Sequence, residues 1–176
     1  MVMAKAEQID REETPIGLQN AICAFSVDLG IQESTYEGEK TKKHEVLLCW
    51  ELEEKMTKGK FQGKPFMVSK RYNVSLGKKA NLSLALEGWF AREFTPEQRE
   101  IGFDTDQLVG TQCTLTLTKT PKGSVKVTAI APMQKNATKL EIVNEEPPKW
   151  AIELAEKGGA TEYCGGASAK SDQIPF

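Results

Sequence analysis

Apolar residues recur at every second position through much of the first half of this chain, and the exceptions mark its organisation. Ile22, Ala24, Phe25 and Val27 fall within Ile16 to Leu29, between Pro15 and Gly30, and predict a long first strand. His44 to Glu53 sets Val46, Leu48, Trp50 and Leu52 against Glu45, Leu47, Cys49 and Glu51, the period of a half-buried strand. The polar stretch from Ile31 to Lys43 between them reads as a loop. Lys55 to Lys64, with Gly59 and Gly63, connects to a third strand over Pro65 to Leu76. There the period changes. Lys79, Leu82, Ala85, Leu86 and Trp89 follow three- and four-residue intervals and predict a helix from Lys78 to Phe90. Thr95-Pro96-Glu97 has the residues of a helix start, and Asp104 to Val109 those of a short helical turn closed by Gly110. Alternation resumes over Thr111 to Lys119 and Ser124 to Ala131, joined by a turn at Pro121-Lys122-Gly123.

Three strands, a helical insertion and two further strands predict a mainly β domain. That order fits a five-stranded Greek-key oligonucleotide-binding (OB-fold) barrel with its helical insertion between strands 3 and 4, although other small barrels share the strand count. The barrel is expected over residues 16–132, after an N-terminal extension, 1–15. Residues 133–157 are polar and acidic, with one short helix from Lys149 to Lys157 after Pro147-Pro148. From Gly158 onward, glycine and other small residues predict a flexible C-terminal tail, 158–176, that leads only to Ser171-Asp172-Gln173-Ile174-Pro175-Phe176.

The net charge of −2 argues against a polyanionic partner until the distribution of charge is considered. Residues 55–80 contain eight Lys and Arg and no acid, and residues 111–139 contain five Lys and no acid. Most carboxylates lie before residue 55 or between Glu141 and Glu162. Such segregation predicts a groove for a polyanion flanked by acidic regions; soluble Lys-rich hairpins are the plainer explanation. Cys23, Cys49, Cys113 and Cys164 are widely spaced and His44 stands alone, so no metal-ligand pattern is present and no cofactor is expected. Catalysis lacks a base, nucleophile or metal cluster, and Glu51, Glu53 and Glu54 read as a charged strand end. Gly59-Lys60-Phe61-Gln62-Gly63-Lys64-Pro65 has the look of a phosphate loop, but its spacing is too short and Pro65 occupies the hydroxyl position, leaving a Lys-bearing turn. With neither a long apolar run nor a signal-peptide core, a soluble cytoplasmic protein without membrane contact is expected.

Binding an unpaired strand without sequence preference requires cations along the phosphates and rings on which bases stack. The ring candidates are Tyr36, Trp50, Phe66 and Tyr72, with the core the favoured place for Trp50 and Phe66 and both roles open to Tyr72. The phosphate candidates are Lys42, Lys43, Lys64, Lys70, Arg71, Lys119, Lys122 and Lys126. On a regular strand Phe66 and Tyr72 share one face and Arg71 takes the other. The stretches Tyr36 to Lys43 and Lys119 to Gly123 correspond to the two loops that flank the groove of such barrels. At the C-terminus, Ile174 and Phe176 are apolar side chains beside a free carboxylate, the chemistry of a peptide captured in an apolar pocket next to a cation.

That end resembles the tip of bacterial single-stranded DNA-binding proteins, matching it at Asp172, Ile174, Pro175 and Phe176, while Lys170, Ser171 and Gln173 depart from its usual acidity. The middle of the chain is similar to single-stranded DNA-binding proteins of bacteriophages and prophages. The similar segments are Val27-Asp28-Leu29-Gly30, Trp50-Glu51-Leu52, Gly63-Lys64-Pro65-Phe66 through Ser69-Lys70-Arg71-Tyr72, Ala80-Asn81-Leu82 with Leu86-Glu87, Phe94-Thr95 and Gly102-Phe103-Asp104. The resemblance spans about residues 17–131 and implies an OB-fold, single-stranded DNA as partner, a role in replication or recombination, and replication or recombination proteins recruited by the tip. It does not identify the residues that touch DNA. A protein-interaction adaptor whose barrel binds no nucleic acid, and an RNA-binding barrel, remain the competing expectations. Exposed strand edges also leave a homodimer open.

Overall fold

In the computed structural model, which describes Ala4 and residues 12–168, the first two strands make a longer hairpin than their apolar pattern predicts. β1 (Gly17–Tyr36) and β2 (Glu39–Lys55) pair antiparallel as far as Tyr36 opposite Glu39. The expected loop at 31–43 is therefore a two-stranded ribbon. Glu37 and Gly38 close it with positive φ angles of 50° and 82°, the signs a type I′ turn requires. Polar cross-strand pairs, Ser34 with Thr41 and Glu33 with Lys42, line the ribbon. Without a core beneath it, the ribbon has no apolar alternation by which its strands could be recognised.

β3 (Pro65–Asn73) pairs with β2, β4 (Gln112–Lys119) with the first residues of β1, and β5 (Val125–Pro132) with β4. The resulting antiparallel sheet has the order β3-β2-β1-β4-β5. Between β3 and β4 lie α1 (Asn81–Phe90), α2 (Pro96–Ile101) and a 3-10 turn (Thr105–Leu108). α2 begins with the expected cap. The Thr95 hydroxyl accepts from Gln98 N–H, and the Gln98 side chain accepts from Thr95 N–H. Among the described residues no ladder joins β3 to β5, but these edges come together where Lys70 Nζ donates to the Val127 carbonyl at 3.2 Å. α1 packs against both edges and delivers Leu82, Leu86 and Trp89 to a core that also contains Val46, Leu48, Trp50, Leu52, Leu115 and Leu117.

A second apolar layer lies on the other face of the β1–β2 hairpin. A bulge between Cys23 and Phe25 changes the facing of β1, so that Ala24, Phe25, Val27 and Leu29 join Leu47 and Cys49 outside the main core. α3 (Lys149–Lys157) covers them with Ala151, Leu154 and Ala155, and Ile142 and Ala160 complete the cover. β4 leaves the edge of β1 after Ile22, and β6 (Tyr163–Gly165) takes it up by pairing with Phe25–Val27. Residues 158–168 thus belong to a packed strap and not to the expected flexible tail. Glycine here serves close approach of two backbones. A Cβ at Gly158 would overlap the Leu29 carbonyl oxygen, and one at Gly165 that of Ala24.

Glu51 anchors this strap and is not the solvated strand end expected. It is 1% exposed, and its carboxylate accepts from Val143 N–H at 2.7 Å, Asn144 N–H at 2.9 Å and Asn144 Nδ2 at 2.7 Å. No helix among the described residues is long and apolar enough to cross a membrane.

Candidate nucleic-acid interface

Side-chain parity decides which rings reach the surface. Val68 of β3 pairs with Trp50 of β2, and Tyr72 with Val46, so Phe66, Val68 and Tyr72 share the inner face with Trp50. Trp50 is 0% exposed, Phe66 5% and Tyr72 3%, so these three ring candidates lie in the core, the place favoured for Trp50 and Phe66, and Tyr72 offers no surface ring either. Trp50 packs 6.0 Å from Trp89, and its Nε1–H has no acceptor among the described residues. Lys70 Nζ lies 5.4 Å from the Tyr72 ring centroid, and burial holds the Tyr72 phenol well above its ordinary pKa. Of the four ring candidates, Tyr36 alone is open, at the end of the ribbon.

The cations divide similarly. Arg71 takes the face opposite Tyr72, as expected, where its Nε and Nη2 both donate to Glu45 Oε2, at 2.8 and 2.6 Å. Lys42 pairs with Glu33 across the ribbon at 3.3 Å, and Lys119 with Glu13 at 3.3 Å. Lys43, Lys64, Lys122 and Lys126 are exposed or at turns on the surface, and Lys70 spans the β3–β5 seam. The two expected flanking loops are not brought together by the register. The turn after Lys119 adjoins the start of β1, where Gly17 pairs with Leu117, while the ribbon tip closes the other end of that strand. What the fold does bring together is the two acid-free stretches, 55–80 and 111–139, whose strands β3 and β5 meet at the seam.

Phe61 was not among the ring candidates. It stands half-exposed on the β2–β3 loop, 56–64, with Lys60 Nζ 5.6 Å from its ring centroid. Its signal in the sequence is an aromatic set among Gly59, Lys60, Gly63 and Lys64, where a turn has no core to fill.

A cleft of about 550 Å³ has the opposite character. It is lined by Asp28, His44, Asp104, Asp106, Glu162 and Tyr163 among others. His44 Nε2 lies 2.7 Å from Asp28 Oδ1. Burial, reinforced by Asp104, pushes the Asp106 carboxyl above its usual range. Acids at this density disfavour a phosphate. No group of three or more His, Cys, Asp or Glu suited to a metal ion occurs among the described residues. The tip residues Asp172, Ile174, Pro175 and Phe176 lie outside the described residues. No protein-family model, curated protein or solved structure matches this chain.

Proposed function

We propose that the domain is an OB-fold barrel, left partly open at the β3–β5 seam, that binds single-stranded DNA without sequence specificity. One observation carries the reading: two lysine-rich, acid-free stretches far apart in the chain converge where Lys70 of β3 meets Val127 of β5. The strand order β3-β2-β1-β4-β5, with helices between β3 and β4, supports the barrel. Phosphates would follow Lys64, Lys70, Lys119, Lys122 and Lys126, with the ribbon adding Lys42, Lys43 and the open ring of Tyr36. Arg71 would join by exchanging Glu45 for a phosphate. The resemblance to bacteriophage single-stranded DNA-binding proteins supports a role in replication or recombination, with Ile174-Pro175-Phe176 recruiting replication or recombination proteins.

The test is fluorescence anisotropy of the full chain with labelled oligo-dT, oligo-rU and duplex DNA over a salt series. Tight binding to dT, weak binding to duplex, and affinity falling with salt by a log–log slope of about −0.7 per neutralised phosphate are expected. Absence of dT binding at low salt would overturn the reading and favour the adaptor; preference for rU would favour an RNA partner.

A further inference from the structure

The β2–β3 loop is a built turn with an anion already seated on it. Met56 N–H donates to the Lys64 carbonyl at 2.9 Å and Gly63 N–H to the Met56 carbonyl at 2.8 Å, closing the loop, while Gly59 and Gly63 hold φ near 85°. The next two N–H groups turn outward. Thr57 N–H donates to Glu12 Oε2 at 2.7 Å, Lys58 N–H reaches the same oxygen at 3.3 Å, and the Thr57 hydroxyl donates to Glu12 Oε1 at 2.8 Å. These hydrogen bonds, the Thr57 hydroxyl first, hold the Glu12 carboxyl below its ordinary range. Consecutive backbone N–H groups converging on one anion form a concavity that serves phosphate as well as carboxylate. A phosphodiester also offers two unbridged oxygens to such a set of donors. Lys58, whose charge acts on Glu12, and Lys60 and Lys64 belong to this loop, from which Phe61 also presents an open ring.

We propose that the β2–β3 loop is a nucleotide-contact site: Thr57 and Lys58 take a backbone phosphate, Phe61 stacks a neighbouring base, and Glu12 occupies the phosphate position in the free protein. This inference rests on the single-stranded DNA reading and assigns it a site that the expected contacts omitted. The acidic N-terminal extension is then an internal competitor, tied to the basic end of the domain by Glu12 here and by Glu13 on Lys119.

The experiment measures dT binding by anisotropy over a salt series for the full chain, Glu12→Ala, Phe61→Leu and Phe61→Ala, with thermal melts to verify folding. Releasing an exposed carboxylate should tighten binding by about two- to fivefold. It should also steepen the salt slope by about 0.7, because a phosphate there would displace counterions instead of Glu12. Both Phe61 variants should weaken binding by roughly five- to a hundredfold, since leucine fills space but offers no π-face. Wild-type binding with unchanged affinity and slope in Glu12→Ala and unchanged affinity in the Phe61 variants would overturn the site and leave the DNA reading intact. Absence of dT binding by every variant would overturn both.

Discussion

Replacing Glu51 with glutamine tests the strap where it is most heavily hydrogen-bonded. The carboxylate is buried and accepts three hydrogen bonds, two of them from the backbone of Val143 and Asn144. A glutamine retains the shape and one acceptor oxygen but turns an NH2 group toward donors. At least one hydrogen bond to a charged group is lost, at about 1.5–3 kcal/mol, and a buried N–H is left without an acceptor, at about 1–3 kcal/mol. These costs overlap, and about 3 kcal/mol is a fair sum. Spread over global unfolding, that lowers the melting midpoint by roughly 6–12 °C in a chain of this size. Confined to strap opening, it speeds amide exchange by about a hundredfold, since about 1.4 kcal/mol is tenfold. Residue-resolved hydrogen exchange of Glu51→Gln should therefore show faster exchange at Val143, Asn144 and residues 163–165, with smaller changes in β4 and β5. Wild-type exchange rates at Val143 and Asn144 in the folded variant would refute the anchoring role.

Two further outcomes follow from burial and charge. Because burial and Asp104 raise the Asp106 carboxyl, the folded protein holds that proton more tightly than the unfolded chain does. Stability from this group is complete below the unfolded carboxylate range and is lost as pH rises through the folded value. Asp106→Asn should therefore raise the calorimetric midpoint near pH 7 and confer no comparable gain near pH 3; equal gains at both would contradict the linkage. Trp50 and Trp89 are enclosed, whereas Trp150 on α3 is half-exposed. Iodide should quench the emission of Trp150 selectively, and Trp150→Phe should abolish most of the quenching; persistence of the quenching would mean that the core tryptophans are open to solvent.

Much of the fold could be read where apolar residues alternate over a core, and little where another device does the work. β3, α2, β4, β5 and α3 follow the periodicities and caps of their own residues closely. The ribbon at 31–43 escaped because its strands bury little and are held by polar pairs and a turn. β6 escaped because Tyr163-Cys164-Gly165 is too short to show a period, and because glycines that admit a neighbouring backbone have the same letters as glycines in a linker. One clue to the strap was present: β2 carries Leu47 and Cys49 on the face opposite Leu48 and Trp50, which implies cover on both sides. The candidate site was less legible. Lysines could be recognised as a class, but Trp50, Phe66 and Tyr72 fall on the inner face by a parity that depends on register, and Phe61 stands on a glycine-rich turn where no period separates an open ring from a buried one.

The strap also constrains where a polyanion can bind. Leu47 and Cys49 of β2 are closed off by α3 and the segments around it, so the outer face of the hairpin is unavailable while the strap is docked. The segment that covers it carries Glu141, Glu145, Glu146, Glu153, Glu156 and Glu162, and the acidic cleft of Asp104 and Asp106 opens beside its last strand. Of the lysines of 55–80 and 111–139, Lys70 instead lies on the β3–β5 seam, and Lys119 and Lys122 lie on the turn near the start of β1. An overall charge of −2 thus conceals a polarised domain, with an acidic cover on one side and basic edges on another. Such a field would orient an approaching strand before contact, attracting it to the seam and repelling it from the strap. Glu12 and Glu13, the carboxylates that reach the basic turns, are each paired with a donor there, and on the proposed reading they would stand where a phosphate binds.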